Sequence, residues 1–300
     1  MNTKLRKCYR EFRQVARTQN FRGVEVGKPV TFENSLNGFE HFSHWFHKLM
    51  AEQGYQDVIV GMEPTGHYWL NLVHHLRQQN ITCGVVNPLH VKRTKELDDN
   101  SPTKNDVKDA RVIAQLVKDG RYAVPSLPQG VYAELREATK IRDHLSTDLR
   151  VVQGRMHNWL DRYFPEFLTV FKDWECKSAI QLLKLNLLPA EIIHVSDEYL
   201  LEHMRQVAKR GAGLSRIHSL KEAARRSVGI EQGKGLAKME LQLLLTQYEF
   251  LQGQLTELHA KMDELLEQIP SSKQLLAMKG IGRDTATISF LRSHFLQQVV

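Results

Sequence analysis

The sequence predicts an α/β domain at the amino end, followed by an all-α region that carries a long coiled coil. Three observations predict it. Short apolar runs alternate with helical patterns up to about residue 121. Strand signals stop after residue 130. Apolar residues then keep a heptad register from Leu241 to Ile269. At roughly 150 residues per domain, a chain of 300 residues accommodates two.

Residues 4–17 set Leu5, Cys8, Tyr9, Phe12, Val15 and Ala16 at helical spacing among arginines and lysines, the pattern of a short basic amphipathic helix. Residues 24–33 alternate around Gly27-Lys28-Pro29 and read as a hairpin. Asn34 and Ser35 can cap a helix with the stripe Phe39, Phe42, Phe46, Leu49 and Met50, stopped by Gly54. Asp57–Met62 is a buried strand, and Glu63-Pro64-Thr65-Gly66 a turn before a helix through Trp69, Leu72, Val73 and Leu76. Ile81–Val86 is the next strand, closed by Asn87-Pro88. One helix starts near Leu89 and fades at Asp98–Pro102; another runs from about Asn105 to Gly120. Strands alternating with helices imply parallel pairing.

Residues 122–130 form the linker candidate. A long helix over about 131–164 carries Leu145, Leu149, Val152, Met156, Trp159 and Tyr163. Gly211-Ala212-Gly213 and Gly229–Gly235 read as hinges. Leu241, Tyr248, Leu255, Met262 and Ile269 occupy heptad position a, and Leu244, Leu251, Leu258 and Leu265 position d. Such a seam pairs subunits, or it folds back on helix 131–164 of the same chain. The resulting division is 1–22 an atypical basic segment, 23–121 the α/β domain, 131–236 helical, 237–270 coiled coil and 271–300 a partial carboxy-terminal domain.

Net charge is +7 and the pI about 9.2. Nearly all of the excess sits in residues 1–22, where Lys4, Arg6, Lys7, Arg10, Arg13, Arg17 and Arg22 face Glu11 alone. A polyanionic partner is therefore indicated mainly by one short segment. No run reaches the ~18 apolar residues of a membrane span, and no apolar core follows the basic start as in a secretory signal. Cys8, Cys83 and Cys176 are isolated, which argues against a disulfide framework and fits a cytoplasmic protein.

Three constellations can carry chemistry. Glu63 follows a buried strand, where open α/β sheets place their sites. It reads as a metal ligand or as a polar turn residue. Asp106 and Asp109, three apart at a helix start, lie about 60° apart around the axis. They complement the helix dipole or, together with Glu63, offer Mg²⁺ the hard oxygens it needs. Lys104, Lys108 and Arg111 beside them suit a phosphate backbone. Lys279-Gly280-Ile281-Gly282 resembles half of a helix-hairpin-helix, in which Lys279, Gly280 and Gly282 would meet DNA phosphates; the plain alternative is a helical corner. His41, His44 and His47 read as exposed helix residues, and Lys92-Arg93-x-Lys95 as a solvated face.

Gly61–Tyr68, Val86-Asn87-Pro88 and Lys104–Ala110, in that order, resemble the DEDD transposases of insertion sequences, relatives of the Piv/MooV invertases. Residues 27–35, the heptad region and the Gly-Ile-Gly turn are similar as well. The resemblance covers about residues 23–290. It implies an RNase H-like (RuvC-like) amino-terminal domain with four Mg²⁺-binding carboxylates. It also implies a carboxy-terminal domain with a serine that attacks DNA. Family members join element ends to a target, and some use a guide RNA. By motif position Glu63, Asp106 and Asp109 match three of the carboxylates, with both catalytic and metal-binding roles. The first carboxylate, an Asp in an early strand, has no match, because Asp57 is the earliest aspartate; Glu25 only imitates that run. Ser289 and Ser293 do not match the serine segment. The expectation is a truncated, catalytically impaired transposase that pairs through its coiled coil. Its alternatives are a non-catalytic nucleic-acid-binding remnant and a junction-resolving nuclease.

Overall fold

A computed structural model describes residues 13–64, 66–98, 106–125, 127–207 and 213–297. Most of the 4–17 stretch, the end of the helix after Leu89, and Gly211-Ala212 lie outside these residues. The chain divides into two units, one ending at Leu127 and one spanning Pro128–Gln297.

In the first unit β1 (Arg13–Ala16) pairs antiparallel with β2 (Val30–Glu33), Ala16 opposite Val30. This corrects the helix expected over 4–17: its described end, residues 13–16, is a strand. The basic pattern is helical by spacing, but β2 buries Val30 and Phe32 on one face and needs a neighbour for its backbone groups, so pairing overrides local preference. The hairpin also turns elsewhere than expected. Asn20 accepts the N–H of Arg22 (3.0 Å) and Val24 (2.9 Å) on its side chain, and Gln19 bridges Glu25. The reversal thus lies at Asn20–Gly23, an Asx-type turn, ahead of Gly27-Lys28-Pro29.

Helix α1 (Leu36–Gln53) starts where expected. Ser35 Oγ accepts the Gly38 N–H at 3.2 Å, and the helix buries Phe39, Phe42 and Phe46. His41, His44 and His47 are exposed, as the sequence suggested. Strand β3 (Ile59–Met62) runs parallel to β4 (Thr82–Val85), Met62 opposite Val85, with α2 (Tyr68–Gln78) as the crossover. α3 (Pro88–Asp98) and α4 (Asp106–Lys118) follow. The described strands make two two-stranded sheets that share one apolar cluster, including Phe32, Phe42, Val60, Met62, Leu76 and Cys83. The α/β character expected for this half is present. Half of the expected linker belongs to this unit, since Ala123 bridges Val85 and Leu127 packs on the cluster.

The second unit is helical: α5 (Val131–Tyr163), α6 (Phe167–Val170), α7 (Lys177–Lys184), α8 (Pro189–Ile192), α9 (Asp197–Val207), α10 (Leu214–Arg225), α11 (Lys234–Glu267), α12 (Ser272–Leu276) and α13 (Arg283–Gln297). α5 and α11 pack antiparallel: Trp159 Nε1 donates to Ala237 O at 2.8 Å near one end, and Leu135 meets Leu265 and Leu266 near the other. The main core joins Met156, Trp159, Phe167, Trp174, Leu244 and Tyr248. Gly229, expected in a hinge, is docked instead: a Cβ there would meet Tyr163 O at 2.2 Å, and Ile230 N–H binds Arg162 O. Among the described residues no helix is long and apolar enough to cross a membrane.

Candidate functional site

β3 delivers Glu63 one residue past its end, half-buried. Its neighbour β4 continues to Val86, whose N–H binds Met62 O at 3.0 Å. Asn87 then opens α3, its side chain accepting the Leu89 N–H at 2.9 Å. Val86, Val91 of α3, and Val112 and Leu116 of α4 form one buried cluster beyond these strand ends. α4 also lies directly on β3. A Cβ on Gly61 would meet Val117 Cγ2 at 2.3 Å and Ile113 Cγ2 at 3.2 Å, so glycine is what lets the helix sit this close.

This packing fixes what faces what. Lys95 stands one turn after Val91, and Asp109 one turn before Val112. Their side chains meet: the Lys95 ammonium ion-pairs with Asp109 Oδ1. Both are largely sheltered, 29% and 26% exposed, and Oδ1 takes no well-formed hydrogen bond from the described residues. Asp106, at the first position of α4, is exposed. Both aspartates sit in the first turn, where the helix dipole favours negative charge. Lys108 and Arg111 are exposed on the same helix. Lys104 lies outside the described residues.

Glu25 is engaged by two guanidinium groups, Arg17 at 2.7 Å and Arg111 at 3.3 Å, which tie the β1–β2 hairpin to α4. Among the described residues no three His, Cys, Asp or Glu side chains form a group able to hold a metal. The structure thus brings Lys95 onto Asp109 but does not gather Glu63, Asp106 and Asp109 into a ready-made three-ligand cage. The donor chemistry still fits Mg²⁺. That ion keeps several waters and commonly uses one or two carboxylates plus substrate phosphates. Asp109 Oδ1 is sheltered and held by Lys95, so a metal ion there would have to displace that ammonium.

Sequence reasoning placed Lys95 on a solvated face. The signal that could have found its partner was its spacing, four residues after the buried Val91 and therefore on the packed side of α3.

In the second unit the turn Lys279–Gly282 joins α12 to α13, with Lys279, Gly280 and Gly282 exposed. The following helix is pinned from both sides. Arg283 forks onto the two oxygens of Asp263, and Arg142 binds Asp284 Oδ1 at 2.6 Å. The Arg283 hydrogen bond holds the Asp263 carboxyl below its usual range. Asp284 also puts negative charge in the first turn of α13, where a phosphate would otherwise bind.

The strand-end carboxylate Glu63, the two aspartates in the first turn of α4 and the cations Lys95 and Arg111 make up the candidate site. Comparison makes this particular. The family model of DEDD transposases of the IS110 type, described as "Transposase", matches residues 12–165. The chain belongs to this family. The match begins at residue 12 and so includes β1. A protein of Sinorhizobium fredii (strain NBRC 101917 / NGR234) described as "Putative transposase y4uE" is 28% identical over 157 residues, covering 50% of this chain and 42% of the relative. The match thus spans less than half of that relative's length.

Proposed function

We propose that this chain serves DNA transposition: its amino-terminal unit is an RNase H-like (RuvC-like) domain that binds insertion-sequence ends and target DNA and takes part in Mg²⁺-dependent strand cleavage and recombination. Glu63, Asp106 and Asp109 are its metal-binding and catalytic carboxylates. Lys104, Lys108 and Arg111 contact the phosphate backbone, with Lys279, Gly280 and Gly282 as a second contact. The reading further holds that the chain works in the cytoplasm as a homo-oligomer, with an element-encoded guide RNA as an additional partner.

One observation carries the reading: Asp109 lies in the first turn of α4, and the same helix packs directly on β3, one residue past whose end stands Glu63. A bound Mg²⁺ would supply Lewis-acid charge for phosphodiester cleavage. The chain's own residues do the rest. Lys95 neutralises Asp109 when no other cation is present, and Arg111 can exchange Glu25 for a phosphate oxygen.

A second reading, nucleic-acid binding without cleavage, is favoured by the Lys95–Asp109 pair, because an ammonium on that carboxylate disfavours a second cation there. The purified chain, Mg²⁺, labelled element-end DNA and any element RNA form the test. Strand cleavage lost in Glu63→Gln, Asp106→Asn and Asp109→Asn supports the first reading. DNA retention without cleavage supports the second. Cutting of branched DNA without end preference would point to a junction-resolving nuclease.

A further inference from the structure

The seam expected to pair subunits is used inside the chain. Leu241, Leu244, Tyr248, Leu255, Met262, Leu265 and Ile269 are buried, and α11 lies along α5. The other side of α11 is open. Leu236, Met239, Leu243 and Phe250 are 77%, 56%, 52% and 64% exposed. Their spacing of three, four and seven residues aligns them in one stripe, roughly opposite the buried seam. Three charges near the stripe are already neutralised within the unit: Lys238 by Glu191, Glu240 by Arg162 and Glu249 by Lys184.

We infer that this outer stripe packs against the same stripe of a second copy of the chain, antiparallel about a two-fold axis near Leu243. The inference rests on the oligomer proposed above and names its surface. The pattern is self-complementary: Leu236 and Phe250 each lie seven residues from Leu243, so the axis sets Leu236 of one copy against Phe250 of the other. Gly235 and Gly253 flank the stripe near mirror positions, with nothing within 4 Å of where a Cβ would stand, which leaves room for a second backbone. The four side chains offer on the order of 400 Å² of apolar surface per copy. With its rim, a pair would bury about 1,000 Å², enough for a specific interface. A ridge of that size matches the largest apolar patch of a typical monomer, which is often a functional surface.

The mass of the full chain, measured by analytical ultracentrifugation over a concentration series, tests this. Wild type sediments as a dimer. The double variant Leu243→Glu, Phe250→Glu sediments as a monomer with unchanged helical circular dichroism. Val151→Glu, at an exposed position of α5, remains dimeric. Under mild oxidation, mixed Leu236→Cys and Phe250→Cys chains form the mixed cross-link well above the parent chain's background. A wild-type chain that stays monomeric overturns both the oligomer and this surface. A dimer that survives the double variant overturns the surface and leaves the oligomer standing. Self-cross-links in place of the mixed one overturn the antiparallel arrangement.

Discussion

Tyr248→Phe deletes one hydroxyl from the heart of the helical unit. That hydroxyl donates to Glu175 Oε2 at 2.9 Å and accepts from Gln252 Nε2 at 3.2 Å. Its ring is 6% exposed and meets Trp174 edge-on, with centroids 4.9 Å apart. A hydrogen bond to a charged group is worth about 1.5–3 kcal/mol. Glu175 keeps two contacts from Gln153 Nε2, both 2.9 Å, and is partly open to solvent, so the lower end applies. For a unit of this size, about 1.5 kcal/mol lowers the melting temperature by roughly 3–6 °C. Burial, reinforced by Glu175, pushes the hydroxyl up from 10.0 to about 12. A folded-state value above the unfolded one gives stability that is complete below pH 10.0 and fades as pH rises towards about 12. Phenylalanine does not titrate, so the deficit of the variant should shrink across that alkaline window. Near-ultraviolet circular dichroism melts of both chains from neutral to alkaline pH measure this. Equal melting temperatures at pH 7, or a gap that stays constant into the alkaline range, would refute the reasoning.

Other expectations follow from single contacts. Gly61→Ala should cost about 1–3 kcal/mol in urea unfolding, because the new methyl meets Val117 at 2.3 Å and α4 must shift. Lys95→Met should tighten Mn²⁺ binding several-fold by electron paramagnetic resonance, with the gain absent in Lys95→Met, Asp109→Asn; equal affinity in wild type and Lys95→Met would show that the ammonium is no competitor. Arg283→Ala should lose less than about 1 kcal/mol, since both partners are partly exposed. Asp263 is held below its ordinary 3.8, so the pair's contribution is present above that value and lost as pH falls through the lowered one. The acid limb of the stability curve should therefore be shallower in the variant.

What the sequence made legible was whatever depends on near neighbours. Ser35 caps α1, the apolar runs before Glu63 and Asn87 become β3 and β4, and the aspartates open α4, because capping, alternation and helical spacing are local. β1 was illegible because its strand character comes from β2, fourteen or more residues away in the chain. Seven of the nine heptad positions from Leu241 to Ile269 are buried and Leu251 and Leu258 partly so, but a register leaves the partner of its seam open; here α11 lies along α5. The carboxylates were recognised as residues of interest, whereas Lys95 on Asp109 and Arg111 on Glu25 required knowing that α3, α4 and the hairpin meet.

Those pairings change how the basic charge should be counted. Counterion release ties the salt dependence of nucleic-acid binding to the number of phosphates neutralised, with a slope of about −0.9 per phosphate on duplex DNA. Counting every cation of the first unit presumes that all are available. Arg17 and Arg111 share Glu25, and Lys95 holds Asp109, so each must give up a carboxylate before it can neutralise a phosphate. Such an exchange frees an anion as it binds one, and the gain over the unbound chain is small. The measured slope should therefore be shallower than the cation count implies. Removing Glu25 should steepen it, since Glu25→Gln leaves both guanidinium groups without their acid. If the slope is the same in Glu25→Gln and wild type, Arg17 and Arg111 do not reach the backbone, and contacts must come from other cations of the chain.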